Sequence, residues 1–195
     1  MVSKKYLMSV LLTAITLCSE AQFRLPQLDV EAKGVFSILP DNSDNSTIKN
    51  VTVSSWQGGA HVQLNQYIAL GGFYTRSFSG NVKYQNDEPG SAQMLIKGLD
   101  LRFSGGRSAR WRPYISFNYS QVEFTQNFGG INLANKANAI GAGMGLMRKL
   151  SNNLYWSIIE VNYKKLNTPI FWLDNMDFML EAKSGFVYNI RVKTK

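Results

Sequence analysis

Apolar and polar residues alternate with a period of two along most of this chain, which is the pattern of β-strands with one apolar face. From about residue 28 the alternation divides into eight segments, separated by residues that are typical of turns and loops. We therefore predict eight strands, at 28–38, 51–64, 67–78, 91–104, 111–124, 137–150, 153–165 and 176–193.

The linkers between these segments alternate between long and short. The long ones are 39–50, 79–90, 125–136 and 166–175, and the short ones are 65–66, 105–110 and 151–152. An up-and-down barrel has this arrangement when one rim carries loops and the other carries tight turns. The sequence thus predicts an all-β protein, an eight-stranded antiparallel up-and-down barrel with its long loops at one rim.

The last segment indicates which face of the barrel is outside. Phe178 and Leu180 share one parity, whereas Glu181 and Lys183 share the other. A lysine that faces lipid at the centre of a bilayer costs about 2–4 kcal/mol, and a hydrated or charge-paired interior removes most of this cost. We therefore predict a transmembrane barrel with its apolar faces towards lipid. The predicted interior charge network is Glu31, Lys33, Arg112, Glu160, Glu181 and Lys183.

Closure of such a barrel makes the first and last strands antiparallel neighbours. One register would place Glu31 opposite Lys183 and Lys33 opposite Glu181. Opposite charges across a strand pair contribute about 0.2–1 kcal/mol each. We take this register as a hypothesis.

The sixth segment has one apolar face and one face that is almost bare. Its apolar residues are Ile140, Ala142, Met144 and Leu146, and they alternate with Gly141, Gly143 and Gly145. We predict that lipid covers the apolar face. The glycines then point into a narrow barrel, where they leave room for large side chains from other strands.

Aromatic residues lie near both ends of the predicted strands, as in the two interfacial belts of a membrane barrel. An ordinary protein core is the alternative, but the opposite faces of these strands carry Arg, Glu, Lys and Asn together. We predict five aromatic residues at the membrane interfaces: Trp111, Tyr155, Trp156, Tyr163 and Tyr188.

The first 21 residues have the features of a cleaved secretory signal peptide, which leaves 22–195 as the barrel domain. Two lysines precede an apolar run that is shorter than a membrane-spanning helix requires, and a small-x-small cleavage site follows it. The alternative is a lipoprotein in which Cys18 is acylated, although Leu17 is a poor residue before such a site.

Four stretches of the chain together form a familiar pattern. They are SEAQ, GGFYTRSF, LDLRFSGGRSARWRPYISFNYS and GAGMGLMRKLSNNLYWSIIEVNY. The chain in this respect resembles the small outer-membrane protein β-barrel domain family, the OmpA/OmpX-type barrels of Gram-negative envelopes. The resemblance implies eight antiparallel strands in the outer membrane, insertion by the outer-membrane assembly machinery, and both termini in the periplasm.

The charge of the chain limits its partners. The formal net charge is +8 and the mean hydropathy is −0.16. A basic exported protein meets phospholipid and lipopolysaccharide more readily than nucleic acid, so we expect outer-membrane lipids and lipopolysaccharide as partners and no nucleic acid. The densest basic cluster, around Arg107 and Arg110, is interpreted as a periplasmic turn near anionic headgroups. The alternative is that it binds an acidic periplasmic partner.

The chain contains little that suggests chemistry. His61 is its only histidine, and we interpret it as part of a polar network in the barrel interior. We predict no metal site, no cofactor and no catalytic residue. The favoured function is a non-enzymatic outer-membrane barrel with an occluded polar lumen and a structural or surface-contact role through its long extracellular loops. A soluble exported lipocalin-like barrel that binds an apolar ligand, or a lipid-modifying outer-membrane enzyme with His61 as the base, is the alternative.

Overall fold

Eight antiparallel strands form a single closed barrel in which each strand pairs with its neighbours along the chain, and β1 also pairs with β8. A computed structural model describes residues 27–40, 48–84, 89–105, 109–128, 131–167 and 177–191; the predicted signal peptide and Arg107 lie outside them. The described residues contain no helix with the length and hydropathy needed to cross a membrane. The strands are β1 Gln27–Pro40, β2 Ile48–Gln63, β3 Ile68–Tyr84, β4 Pro89–Ser104, β5 Trp111–Phe128, β6 Ile131–Lys149, β7 Leu154–Leu166 and β8 Phe178–Arg191. The predicted fold class is therefore confirmed.

One rim of the barrel differs from the prediction in the length of its connections. We call the rim at the start of β1 and the end of β8 the proximal rim, and the opposite one the distal rim. At the distal rim β3 continues to Tyr84, β5 continues to Phe128 and β6 begins at Ile131. Much of the predicted linkers 79–90 and 125–136 is thus strand, and the expectation of long loops at both positions was wrong.

The outer and inner faces are those predicted from the cost of a charge in lipid. Phe117 and Leu180 face outwards and are 51% and 40% exposed, whereas Glu181 and Lys183 face inwards and are 1% and 5% exposed. Large apolar side chains on the outside of a barrel, around a charged interior, are the arrangement of a transmembrane barrel.

The polarity of the two faces is exchanged towards the distal rim without any slip of the alternation. On β5, Phe117 and Tyr119 face outwards while Asn118 faces inwards; further along, Gln121 faces outwards and Phe124 faces inwards. The same exchange occurs on β4 and β6. The distal interior is consequently apolar rather than polar as predicted. We call its buried residues the distal plug: Leu39, Val51, Val53, Phe73, Val82, Ala92, Met94, Ile96, Val122, Phe124, Ala137, Ala139, Leu166 and Met179.

A β-bulge in β7 places Tyr155 inside the barrel instead of at the membrane interface. The pairing of β7 with β8 shifts between Ser157 and Glu160, and one additional residue reverses which face each side chain occupies. Tyr155 is 6% exposed, so its prediction as an interface aromatic was wrong. Trp156 takes the outward position. The other predicted interface residues also face outwards: Trp111, Tyr163 and Tyr188.

The barrel closes in a different register from the one proposed. Glu31 lies opposite Val187 rather than Lys183, and Lys33 lies opposite Gly185 rather than Glu181. A Cβ atom added to Gly185 would lie 2.6 Å from Lys33 Cα and 2.9 Å from Lys33 Cγ, so only glycine leaves the lysine stem its space. The glycine therefore favours the observed register, and the charges pair across the interior instead.

The glycines of β6 face the interior and accommodate large side chains, as predicted. A Cβ atom on Gly141 would lie 2.7 Å from Lys164 Cγ, and one on Gly145 would overlap the ring of Tyr114. These glycines allow Tyr114 and Lys164 to extend across the barrel.

We expect Gly145→Ala to destabilise the barrel by about 1–3 kcal/mol, because the added methyl group forces the buried Tyr114 ring out of its position. Gly34→Ala is the matched control, since its Cβ atom would face outwards with its nearest neighbour, Ser184 O, at 3.9 Å. Urea unfolding of the refolded barrel in lipid vesicles, followed by tryptophan fluorescence, measures both. Equal loss of stability in the two variants would contradict the packing argument.

The exchange of polarity on β5 predicts where water begins. In a barrel produced without residues 1–21, and therefore without Cys18, a membrane-impermeant maleimide should label Gln121→Cys rapidly and Phe117→Cys only after detergent is added. Equal labelling of the two intact proteins in vesicles would show that no hydrocarbon boundary lies between these positions.

Candidate functional site in the barrel interior

The interior on the proximal side of the distal plug is filled mainly by charged and polar side chains, with one small apolar cluster that includes Met147 and Val187. Eight of the charged side chains form what we call the ionic network. All eight are buried, and their formal charges cancel: Glu31, Asp100, Glu160 and Glu181 against Lys33, Arg102, Lys164 and Lys183.

Glu31 joins β1 to β4. Its Oε2 atom lies 2.8 Å from Lys33 Nζ and 3.1 Å from Arg102 Nη2. Its Oε1 atom accepts a hydrogen bond of 3.0 Å from Gln57 Nε2 on β2. Both carboxylate oxygens are thus bonded, as a buried carboxylate requires.

Glu160 is the acceptor with the most partners in the ionic network. Its Oε2 atom accepts hydrogen bonds from Lys33 Nζ at 2.7 Å and from the Tyr114 hydroxyl at 2.6 Å. Its Oε1 atom accepts one from Asn162 Nδ2 at 2.7 Å and lies 3.8 Å from Lys183 Nζ. This single carboxylate connects β1, β5, β7 and β8.

Glu181 lies where the ionic network meets the distal plug. Lys164 Nζ and Lys183 Nζ each lie 3.0 Å from one of its oxygens. The two ammonium groups lie 5.0 and 5.3 Å from the centre of the Phe73 ring, within the range of cation–π attraction. The Phe73 ring of the distal plug thereby stabilises these two buried ammonium groups.

His61 belongs to the polar interior, as its parity predicted. Its Nε2 atom lies 3.0 Å from Asp100 Oδ2, which also accepts a hydrogen bond of 3.1 Å from Arg102 Nη2. The Arg102 guanidinium lies 4.9 Å from the centre of the Tyr114 ring. A buried imidazole in these contacts is part of the packing of the barrel.

Five of the six predicted network residues belong to the ionic network, and the sixth, Arg112, lies outside it. Arg112 is buried, but it lies at the proximal rim, where its Nε atom donates to Ser104 Oγ at 3.0 Å and to Gly105 O at 3.1 Å. It thus ties β5 to the end of β4.

The predicted network omitted Lys164 of β7, and it also omitted Asp100 and Arg102 of β4. A signal for the latter two was present, because Leu99, Leu101 and Phe103 alternate with them on β4 in the same way as in the other strands.

The arrangement is suited to stabilising and closing the barrel. Each carboxylate is neutralised by cations at contact distance, so the charges balance one another within the protein. In the part of the chain that the structure describes, no group of three His, Cys, Asp or Glu side chains could hold a metal ion.

Comparison with known proteins gives the fold and no closer relationship. No family model matches the chain, and no curated protein matches it. Among solved structures, Neisserial surface protein A (NspA) has a TM-score of 0.58 at 14% identity, covering 86% of this chain and 97% of its own. The N-terminal β-barrel domain of Pseudomonas aeruginosa OprF has 0.57 at 14%, covering 83% and 97%. Ail of Yersinia pestis has 0.57 at 9%, covering 86% and 100%. The chain has the fold of these small outer-membrane barrels.

We expect Glu160→Gln to destabilise the barrel by about 3–5 kcal/mol, because it leaves Lys33 buried with less compensating charge. The matched control is Glu123→Gln on the outer wall, where the ion pairs with Lys97 and Lys136 are exposed and contribute little to stability. Urea unfolding in vesicles compares the two, and a control that loses as much as Glu160→Gln would contradict the role of the ionic network.

Proposed function

We propose that this protein is a non-enzymatic integral protein of the outer membrane of a Gram-negative bacterium, closed to solutes, with a structural or surface-contact role. The observation that carries the proposal is the inverted polarity of the membrane part: apolar side chains cover its outside, and paired charges fill its inside. A soluble barrel would have the opposite arrangement, because water on the outside favours the charged groups there.

The spacing of the outward aromatic residues fits the thickness of the membrane. On β5, Trp111 and Tyr119 mark the two ends of the apolar outer face. At about 3.3 Å per residue, the strand between them is roughly 26 Å long, which is about 20 Å along the axis of a barrel whose strands tilt by about 40°. The apolar band of such barrels is about 25 Å tall.

The distal rim is assigned to the cell surface. This follows from the expectation that both termini, and with them the proximal rim, lie in the periplasm. Beyond the level of Tyr119, strands β4, β5 and β6 continue with an apolar interior and a mainly polar exterior, which is the stable arrangement in water. The surface part would thus be a rigid extension of the barrel with connections at its end.

A closed lumen is supported by two obstructions in series. An eight-stranded barrel has an interior just wide enough for side chains. Here the ionic network fills the membrane part and the distal plug fills the part above it. Passage of a solute would require both to be displaced.

A surface-contact role is supported by names among the structural neighbours. One is called a surface protein and another the attachment invasion locus protein. The contact would be made by the distal connections, since they are the part of the protein farthest from the membrane.

Neither alternative finds a suitable site in the part of the chain that the structure describes. A lipid-modifying enzyme would need His61 to reach its substrate, but this side chain is fully buried and bonded to Asp100. A barrel that binds an apolar ligand would need an open apolar interior, whereas the distal plug is composed of packed side chains.

We also propose partners for the outer wall and for the proximal rim. Outer-membrane lipids and lipopolysaccharide would surround the barrel, and the assembly machinery would insert it. An acidic periplasmic partner would find Arg110 exposed at the proximal rim. Arg110→Glu should leave membrane insertion intact and remove any such cross-linked partner, and unchanged cross-links would end this proposal.

The proposed function predicts three results for the full chain expressed in a Gram-negative host. The protein should sediment with the outer membrane, migrate differently on a gel before and after boiling, and give no steady ion conductance in a planar bilayer. Recovery in the aqueous fraction would contradict the membrane assignment, and stable conductance steps would contradict the closed lumen.

A further inference from the structure

A basic patch lies on the outer wall of the barrel, just beyond the outward aromatic residues Tyr74 and Tyr119. We use this name for Arg76, Lys97 and Lys136, which face outwards from β3, β4 and β6. Lys97 is paired with Tyr74, and Arg76 is two residues farther along β3. The basic patch therefore begins at the level of Tyr74.

Glu123 of β5 lies between the two lysines of the basic patch. Its Oε1 atom is 3.5 Å from Lys97 Nζ and 3.3 Å from Lys136 Nζ, so it holds two ammonium groups close together. The lysine side chains remain 53% and 67% exposed. Each ammonium group has three donors, and both therefore retain donors for a further anion.

The basic patch points sideways from the wall rather than upwards from the rim. Arg76 lies two residues beyond Tyr74, and Glu123 lies four residues beyond Tyr119. On tilted strands these steps correspond to roughly 5 and 10 Å above the aromatic residues. The headgroup layer on each side of a bilayer is about 5–8 Å deep. Arg76 therefore lies within this layer, and Glu123, with the lysine ammonium groups that it contacts, lies at its outer edge.

Among the outward side chains that the structure describes at this level, the basic ones lie on one arc of the barrel. Lys165, which is exposed on β7, continues the arc of the basic patch. At comparable positions on the other arc, the described outward residues of β8, β1 and β2 are uncharged: Leu180, Ile38, Thr52 and Ser54. General attraction to an anionic surface requires no such asymmetry, whereas recognition of one lipid does.

We propose that the basic patch binds the phosphate groups of lipid A, the lipid anchor of lipopolysaccharide, in the outer leaflet. The inference rests on the proposed membrane function. Lysine and arginine are both phosphate-binding side chains, and Arg76 adds the planar donor fork that matches a phosphate. Glu123 positions the two ammonium groups and at the same time competes with the phosphate for them.

The test uses the refolded full barrel in detergent micelles, titrated with bisphosphorylated lipid A and followed by native mass spectrometry. We expect Lys97→Gln combined with Lys136→Gln to weaken retention of the lipid at least about tenfold. The matched control removes the same charge at the proximal rim, by Arg110→Gln with Lys149→Gln, and should bind as the wild type does. Glu123→Gln should retain lipid A at least as tightly as the wild type, because the lysines no longer have a competing carboxylate. If the ion pair only stabilised the barrel, its loss would weaken binding.

Two further probes distinguish the source of the phosphate. Dephosphorylated lipid A and phosphatidylglycerol should each be retained at least about tenfold more weakly than bisphosphorylated lipid A. Equal retention of any of these lipids, or equal loss in the proximal control, would overturn the proposal. The membrane function is judged separately: a wild-type barrel that shows no mobility shift on boiling fails as a membrane barrel, whereas one that shifts without selecting lipid A contradicts this inference alone.

Discussion

The structure depends on one constraint: a charge enclosed by a barrel within lipid must find its opposite inside the same barrel. Glu160 illustrates it, because Lys33 and Tyr114 bond one of its oxygens and Asn162 the other. Desolvation makes each of these charges expensive alone, and it makes them tolerable only as a balanced set. The bare face of β6 follows from the same constraint. Tyr114 and Lys164 reach across the barrel only because glycine stands where any side chain would meet them.

A second consequence is that the medium outside the wall determines the polarity of the side chains inside it. Where lipid surrounds the wall, the interior contains ions; where the wall faces water, the interior contains the distal plug. The alternation of β5 continues unbroken through this exchange, and only the polarity of its two faces is reversed. One strand can therefore contribute to two parts of the barrel. The part in the membrane has an apolar exterior, and the part above it has a polar one, with Tyr119 and Gln121 on either side of the transition. The basic patch lies at this same level.

The sequence was sufficient for the strand count, the closure and the inside of the barrel, because all three follow from a period of two and the cost of charge in lipid. It was insufficient where a single residue changes parity. The bulge between Ser157 and Glu160 turned Tyr155 inwards, and nothing in the local alternation indicates it. The register at the closure depends on Gly185 beside Lys33, a steric condition that weak pairing energies between charges cannot predict. The distal strands were taken for loops because their outward residues are those of turns, although their inward residues, such as Phe124, alternate correctly.

The ionic network also gives the fold its direction. An apolar residue is accepted both by lipid and by a packed interior, so apolar residues alone leave open which face of a strand turns inwards. Lys183 and Glu181 remove this freedom, because outward rotation would place both in hydrocarbon. The polar residues beyond Tyr119 do the same for depth, since moving the barrel along its axis would draw Gln121 and Glu123 into the membrane. Charges inside therefore set the faces of the strands, and charges outside set how far the barrel extends from the membrane.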